Sequence, residues 1–317
     1  MRFPVFDLHC DTALELLGGK DGQKVSLNRN LLHIDLERAG VLPGYAQCFA
    51  CFTTPDMQRW FGVSPEDVFS REKEGIIQAL SENTSLIQQA FTPVQIKENL
   101  NKGLMSAILT IEGPAGFGYD SGKLEELYRL GFRITTLSWN ESNILTGSHV
   151  TGEGLTDLGK EYVRQAQHLG MIIDVSHISD QGFWDIMQIS SAPVIASHSN
   201  SRSVWNVSRN LTDEMFLAIC STGGVTGINL YSDFLGENPD LNTVCDHIIH
   251  FLQMDPDGKH IALGGDLDGC EKLPDGFYGV QDYSKLADAL LARGVQENTV
   301  LDIFWNNAIG VMERCCT

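Results

Sequence analysis

The segment Met105–Glu112 reads MSAILTIE and shows a pattern that recurs along the whole chain. Its apolar residues are continuous rather than alternating, which is typical of a parallel strand buried on both faces. Eight such runs occur, and most are followed by a turn and an amphipathic stretch. They cover residues 4–9, 46–52, 105–112, 134–139, 171–177, 194–198, 224–229 and 261–266.

The stretches between the runs predict helices. Residues 158–169, for example, lie between Thr156 and Gly170, and Thr is a preferred N-cap whereas Gly is a preferred C′ residue. Strands that alternate with helices indicate βα units and a parallel sheet. Eight of them predict an α/β fold of the (β/α)8 TIM-barrel type, with one domain over residues 1–317. An open doubly wound sheet is the alternative, but no GxGxxG motif follows the first run.

Residues 53–104 form an oversized connection between the second and third predicted strands. Within this insertion, residues 65–80 and 81–90 are predicted to be helical. We expect the insertion to cover part of the barrel mouth.

The chain is acidic, with 22 Lys and Arg against 41 Asp and Glu and a formal net charge of −19. Nucleic acids and anionic membrane surfaces would be repelled by this charge, so we expect neither as a partner. The sequence contains no run of about 18 apolar residues and begins without the long apolar region of a secretory signal. A cytoplasmic protein is therefore expected.

Potential metal ligands stand at the ends of five of the eight runs. They are His9 with the nearby Asp11, then Glu112, His177, His198 and Asp266. The carboxyl ends of barrel strands converge on one face, so these side chains should surround one point. Imidazole and carboxylate are the ligands of catalytic zinc, and this set exceeds what one ion with an open position needs. The surplus predicts a binuclear centre with one bridging carboxylate.

Each of these residues also has a simpler interpretation. A single strand-end histidine is more often a hydrogen-bonded structural residue than a ligand, and Glu112 alone would serve to cap a neighbouring helix. Five such ends on one face are harder to explain in that way, because buried carboxylates without compensation are costly. A bound metal would offset that cost.

Six ordered motifs resemble those of the renal (membrane) dipeptidase family, within the amidohydrolase superfamily of metal-dependent barrels. They are DLHCDT (7–12), IEG (111–113), DVSH (174–177), SHSN (197–200), SRN (208–210) and GGDLDG (264–269). The resemblance extends from residue 7 to about residue 312. It implies a dipeptidase whose substrate is a dipeptide and whose cofactor is a pair of Zn2+ ions.

The resemblance also implies a role for each matching position. His9 and Asp11 would hold one zinc ion, His177 and His198 the other, and Glu112 would bridge them. Asp266 would be the catalytic residue that handles the proton of a metal-activated hydroxide, which attacks the peptide bond. Arg209 would bind the C-terminal carboxylate of the dipeptide.

One position departs from the family pattern. Mammalian members carry a histidine after the fourth strand that is thought to reach the substrate carbonyl oxygen, and Trp139 stands at that place here. Either His149, Asn140 or Asn143 supplies the missing donor, or one zinc ion polarises the carbonyl alone. Trp139, Asn143 and His149, together with Tyr231, are the further predicted substrate-binding residues.

Two other functions remain open at this stage. The first is another hydrolase of the same scaffold, that is, a lactonase, a phosphotriesterase or a deaminase; the SRN motif and the lack of a lysine after the fourth strand weigh against a phosphotriesterase. The second is a metal-binding protein without catalysis. Homodimers are common in the family, so a homodimer is a further expectation.

Overall fold

The structure, a computed structural model, describes residues 3–18 and 25–316. In chain order, its strands are β1 (Val5–Cys10), β2 (Tyr45–Phe52), β3 (Ile87–Gln89), β4 (Met105–Glu112), β5 (Phe132–Thr136), β6 (Ile172–Asp174), β7 (Val194–Ile195), β8 (Thr226–Ile228) and β9 (Ile261–Leu263). Its α-helices are α1 (Thr12–Leu16), α2 (Leu36–Ala39), α3 (Met57–Phe61), α4 (Pro65–Glu82), α5 (Pro93–Asn101), α6 (Leu124–Arg129), α7 (Asp157–His168), α8 (Asp180–Ile189), α9 (Asp213–Thr222), α10 (Leu241–Met254), α11 (Tyr283–Ala292), α12 (Glu297–Leu301) and α13 (Asn307–Cys315), and a π-helical turn (Asp302–Asn306) joins the last two.

Eight parallel strands form a nearly closed barrel. The hydrogen-bonded order is β7-β6-β5-β4-β2-β1-β9-β8. A parallel bridge between Ala196, just after β7, and Thr226 in β8 brings the two ends of this sheet together. Every one of the eight apolar runs overlaps one of these strands, so the predicted (β/α)8 barrel is confirmed.

The capping signals around α7 act as the sequence predicts. The Thr156 hydroxyl accepts a hydrogen bond from the Gly159 amide at 3.1 Å, and Gly170 follows the helix with a φ of 85°. A left-handed φ is unfavourable for residues with a Cβ, which explains the glycine. The chain therefore leaves α7 directly toward β6.

The connection between β2 and β4 is only partly helical. Helix α4 is capped by Ser64, but the helix predicted over residues 81–90 is wrong, because Ile87–Gln89 form β3. β3 pairs in parallel with β4, and Ile87 is buried whereas Gln88 is exposed. The free edge at the start of β4 offers backbone hydrogen bonds that a local helix signal does not reveal.

Apolar side chains from this connection form a small cluster separate from the barrel core. Phe52, Met57 and Val68 are buried in it, and Leu14, Phe61, Val63 and Trp139 pack against them. We call these seven residues the satellite cluster. None of the helices in the described part of the chain combines the length and hydropathy of a membrane span.

Candidate active site

Six side chains that the sequence singled out lie against one another at the carboxyl ends of the strands. They are His9, Asp11, Glu112, His177, His198 and Asp266, here called the carboxylate–imidazole cluster. His9 and Glu112 belong to β1 and β4 themselves. His177, His198 and Asp266 lie in loops, each three residues beyond the end of its strand. The barrel thus brings together residues that are far apart in sequence.

Glu112 stands at the centre of this cluster. Its Oε2 atom is 3.4 Å from His9 Nε2, whereas its Oε1 atom is 3.0 Å from His177 Nε2 and 3.7 Å from His198 Nε2. On the His9 side, Asp11 Oδ2 and Asp266 Oδ1 are 3.8 and 3.9 Å from His9 Nε2. Each oxygen of Glu112 therefore faces different imidazoles, Oε2 that of His9 and Oε1 those of His177 and His198.

Two of the loop residues have a left-handed backbone. The φ angles of His177 and Asp266 are 67° and 56°, a region that few residues other than glycine adopt. Such conformations are most often retained at functional sites, where the surrounding structure enforces them. Nearby Gly269 is also constrained, because a Cβ there would lie 2.1 Å from Asp11 Oδ2. The loops are shaped to bring these carboxylates and imidazoles close together.

The hydrogen bonds of His177 and His198 fix their tautomers. His177 Nδ1 lies 3.0 Å from Asn140 Oδ1, an acceptor, so this nitrogen carries the proton. His198 Nδ1 lies 2.6 Å from Ser197 Oγ, whose own proton goes to Asp174 Oδ2 at 2.5 Å. Both Nε2 atoms are consequently bare, yet they are only 3.0 Å apart.

Two lone pairs that face each other at this distance fit a cation better than any group of the chain. Burial lowers the pKa of both imidazoles well below 6.5, so protonation does not remove the conflict. On the other side, His9 Nε2 and Asp11 Oδ1 are buried without a hydrogen-bond partner in the described part of the chain. The donor set of the cluster therefore fits metal ions of the type that bind imidazole and carboxylate.

The carboxylates of the cluster point to the same conclusion. Burial, reinforced by the neighbouring negative charges, raises the pKa of Glu112 to about 7 and that of Asp266 to about 6. Ionised carboxylates at such close range repel one another unless positive charge is present. Bound metal would supply that charge.

Arg209 lies beside the cluster and is 4% exposed. Its Nη1 atom donates to Ser199 Oγ at 2.7 Å, but Nε and Nη2 have no partner within residues 3–18 and 25–316. Burial lowers the pKa of Arg209 to about 10, which still leaves it charged at neutral pH. A buried guanidinium with two unused N–H groups fits an anionic ligand.

His149 occupies both of its ring nitrogens in a hydrogen-bond chain. Its Nε2 lies 2.9 Å from Asn140 Oδ1, which also accepts from His177, and its Nδ1 lies 2.9 Å from Ser208 Oγ. Because Asn140 Oδ1 is an acceptor, His149 carries its proton on Nε2 and accepts from Ser208 on Nδ1. The chain from Ser208 to His177 leaves His149 no ring N–H free for another partner.

The other predicted substrate-binding residues have different surroundings. The Asn143 side chain donates to Leu137 O and accepts from the amides of Leu145 and Thr146, so it holds its own loop together. Trp139 meets Phe52 and Trp60 edge-on, and its ring centroid is 6.2 Å from that of His177.

Tyr231 packs edge-on against Phe234, and the Phe234 ring lies 5.7 Å below the Arg209 guanidinium. Burial, with the nearby Glu271 and Asp233 carboxylates, raises the pKa of Tyr231. The Tyr231 phenol therefore stays protonated at neutral pH. Through Phe234, it supports the face of Arg209 from below.

Sequence reasoning gave no role to several polar residues that support the cluster. Asn229 Nδ2 donates to Asp266 Oδ2 at 3.1 Å and so fixes which oxygen of Asp266 remains available. Asp174 accepts from Ser197 and from the amide of Ser176. Asn229 is the last residue of the seventh apolar run, and a polar residue at that position could have indicated a site residue. Asp174 and Ser197 were noted only as members of the family motifs.

The chain is similar to proteins of known family. A profile of the membrane dipeptidase family, peptidase family M19, matches residues 1–316. An uncharacterized dipeptidase of Schizosaccharomyces pombe is 31% identical over 224 residues, which are 68% of this chain and 55% of that protein. The aligned region thus spans about half the length of that relative.

Solved structures of this family have the same fold. A metallopeptidase of Rhodobacter sphaeroides, liganded with a phosphinate mimic of the dipeptide L-Ala-D-Ala, superposes with a TM-score of 0.88 at 25% identity and covers 99% of both chains. The dipeptidase AC, also of family M19, gives a TM-score of 0.88 at 25% identity over 100% of this chain and 99% of its own.

Proposed function

The chain belongs to the membrane dipeptidase family, and from that premise we propose that it is a zinc-dependent dipeptidase with two metal ions. Metal-dependent hydrolysis of dipeptides is the chemistry of its structural neighbours. The number and identity of the ions are part of the proposal and rest on the donor atoms described above.

The cluster offers one set of ligands to each ion. One ion would be held by His9 and Asp11, the other by His177 and His198, and both by Glu112. When bound, zinc lowers the pKa of a coordinated water from about 15.7 toward 7 and so supplies a nucleophile at neutral pH. Asn140 and Ser197 hold the two imidazoles with Nε2 bare, as a ligand requires.

Asp266 is the proposed general base and acid. Its Oδ2 atom accepts from Asn229, so Oδ1, which faces His9, is the oxygen that takes up a proton from the attacking water. The same oxygen then gives the proton to the leaving amine, as is usual in general acid–base catalysis. Asn229 would keep Asp266 from turning away between the two steps.

The observation that supports a dipeptide substrate is that two N–H groups of buried Arg209 have no partner in the described part of the chain. Nε and Nη2 lie on one edge of the guanidinium and can bind a carboxylate bidentately. A free C-terminal carboxylate one residue beyond the scissile bond would satisfy them, whereas a longer peptide would leave them unpaired. The site would therefore favour dipeptides.

Amine release from a panel of dipeptides, with zinc-loaded and chelator-stripped protein, tests this proposal. The panel includes L-Xaa-D-Xaa pairs, since the Rhodobacter enzyme is liganded with a mimic of L-Ala-D-Ala. We expect zinc-dependent cleavage of dipeptides and none of tripeptides. No cleavage by protein that holds two metal ions would favour a lactone, phosphoester or deamination substrate instead. A cytoplasmic location and a homodimer stay predictions from the sequence.

A further inference from the structure

A cavity of about 570 Å3 adjoins the carboxylate–imidazole cluster. Asp11 and Glu112 of that cluster line it, and so do the aromatic residues Phe52, Trp60, Phe61 and Trp139, which we call its aromatic wall. Ligand pockets of proteins have volumes of roughly 300–1,000 Å3, so this space is far larger than a water site or a pocket for one methyl group.

The cavity lies on the side of the cluster away from Arg209. Neither Arg209 nor His177 lines it; both line a separate narrow cleft together with Ser208. If the carboxylate of a dipeptide occupies Arg209 and the scissile bond lies over Glu112, the N-terminal residue must extend toward the cavity. This step rests on the function proposed above.

The aromatic wall is held by its own packing. Trp139 meets Phe52 at a centroid distance of 5.2 Å and Trp60 at 5.6 Å, both in edge-to-face geometry. Phe52 belongs to the buried part of the satellite cluster, whereas Trp60 is 37% exposed. Part of the Trp60 side chain is therefore available to pack against a ligand. Contacts between aromatic rings contribute binding free energy beyond that of the buried area.

The ionisable groups of the lining are mostly acidic in the part of the chain that the structure describes. Five acidic residues line the cavity, namely Asp11, Glu15, Glu112, Asp268 and Glu271, and among residues 3–18 and 25–316 no Lys or Arg lines it. In the zinc-loaded protein the metal ions would offset the charges of Asp11 and Glu112, so the remaining carboxylates, among them Glu271, would repel a negatively charged side chain. The substrate ammonium group would be tolerated.

From these observations we propose that the cavity receives the side chain of the N-terminal residue of the substrate. It selects large apolar side chains, above all aromatic ones, over small or acidic ones. Trp60 and Trp139 are the specificity-determining residues. Burial of a Phe-sized side chain should raise kcat/KM by roughly tenfold to a little over a hundredfold.

The proposal is tested by kcat/KM of the zinc-loaded protein on Phe-Gly, Gly-Gly, Gln-Gly and Glu-Gly. We expect Phe-Gly to exceed Gly-Gly by about tenfold or more, and Glu-Gly to fall about tenfold below its neutral isostere Gln-Gly. Equal values for Phe-Gly and Gly-Gly would overturn the proposal and leave the dipeptidase function in place. If no dipeptide is cleaved, the dipeptidase function and this inference fall together.

A matched pair of variants assigns the effect to the cavity wall. Trp60→Ala should reduce the ratio of Phe-Gly to Gly-Gly about tenfold, and Trp60→Phe should restore most of it. Trp184→Ala is the control, since Trp184 lies on α8, is 38% exposed and does not line the cavity. An unchanged ratio in Trp60→Ala, or the same fall in Trp184→Ala, would contradict the assignment.

Discussion

The two sides of the carboxylate–imidazole cluster are built on different principles. On the Arg209 side, hydrogen bonds link polar groups from exposed Ser208 through half-buried His149 and Asn140 to buried His177. On the cavity side, aromatic rings surround open space. Under the proposed function, the first side meets the carboxylate that every dipeptide carries, and the second meets the side chain that varies. Fixed hydrogen bonds suit the constant group, and apolar volume suits the variable one.

Asp266→Asn should give the largest effect, because it acts at the centre that both sides share. General acid–base catalysis contributes about 10²–10⁴-fold, so we expect kcat to fall about a thousandfold. The fall should be equal for Phe-Gly and Gly-Gly, and metal content measured by atomic emission should stay at the wild-type value. A rate within tenfold of wild type would contradict the assigned role.

Arg209→Ala should weaken binding of the C-terminal carboxylate and leave the selectivity of the cavity unchanged. Removing one partner of a buried charged pair costs about 2–5 kcal/mol, so kcat/KM for free dipeptides should fall by about a hundredfold or more. The ratio of Phe-Gly to Gly-Gly should not change. A C-terminally amidated dipeptide is the control substrate: an equal loss on it would show that Arg209 does not act on the carboxylate.

Asn140→Leu should weaken metal binding through His177. Loss of the group that holds a metal-binding imidazole costs about 10–100-fold in metal affinity, which competition with a chromophoric chelator measures. Asn140→Asp keeps the acceptor oxygen and should retain most of the affinity. If Asn140→Leu binds zinc as tightly as wild type, the hydrogen bond to His177 Nδ1 has no positioning role.

His149 should make the smallest contribution, visible in the pH dependence of stability. Burial, with the nearby Arg209 and Arg202 cations, lowers the pKa of His149 from 6.5 to about 4. Between these values the unfolded chain binds more protons than the folded chain, so the free energy of unfolding falls as pH falls. In His149→Gln this contribution should be absent. Between about pH 6.5 and 5, the free energy of unfolding should therefore fall by about 1 kcal/mol less in the variant than in wild type, after allowance for the partial exposure of the ring.

Urea unfolding of wild type and His149→Gln in parallel at several pH values measures this difference. The comparison removes the contributions of all other groups that titrate in the same range. Identical slopes would mean that folding does not lower the pKa of His149, which would contradict the buried, neutral ring assigned here.

The sequence predicted the barrel and the members of its cluster well, for a physical reason. Buried parallel strands need continuous apolar runs, so polar residues at their ends, such as Glu112, stand out. His177 and Asp266 were also found, although they lie in loops, because the apolar runs continue past the last hydrogen-bonded residue of each strand. The left-handed backbone of His177 and Asp266 could not be predicted, because neither histidine nor aspartate adopts positive φ angles often enough to signal them.

The cavity wall was beyond sequence reasoning. Trp60 lies on the short helix α3, and its contact with Trp139 joins segments that are distant in the chain. The same holds for β3, which exists only because the edge of β4 is available. His149 was expected as a donor to the substrate, but its ring nitrogens are bonded to Asn140 of its own loop and to Ser208 of a distant loop.

The separation of the satellite cluster from the barrel core has a consequence for how such proteins diversify. Residues such as Met57 and Phe61 pack with Phe52 and Val68 rather than with the core that closes the barrel. Substitutions there reshape one wall without opening a void among the strands, so any cavity they leave lies in the satellite cluster and not in the core that closes the barrel. Under the proposed selectivity, substitutions in α3 and its neighbours would change the substrate preference during evolution. The residues at the strand ends, which carry out the reaction, would stay the same.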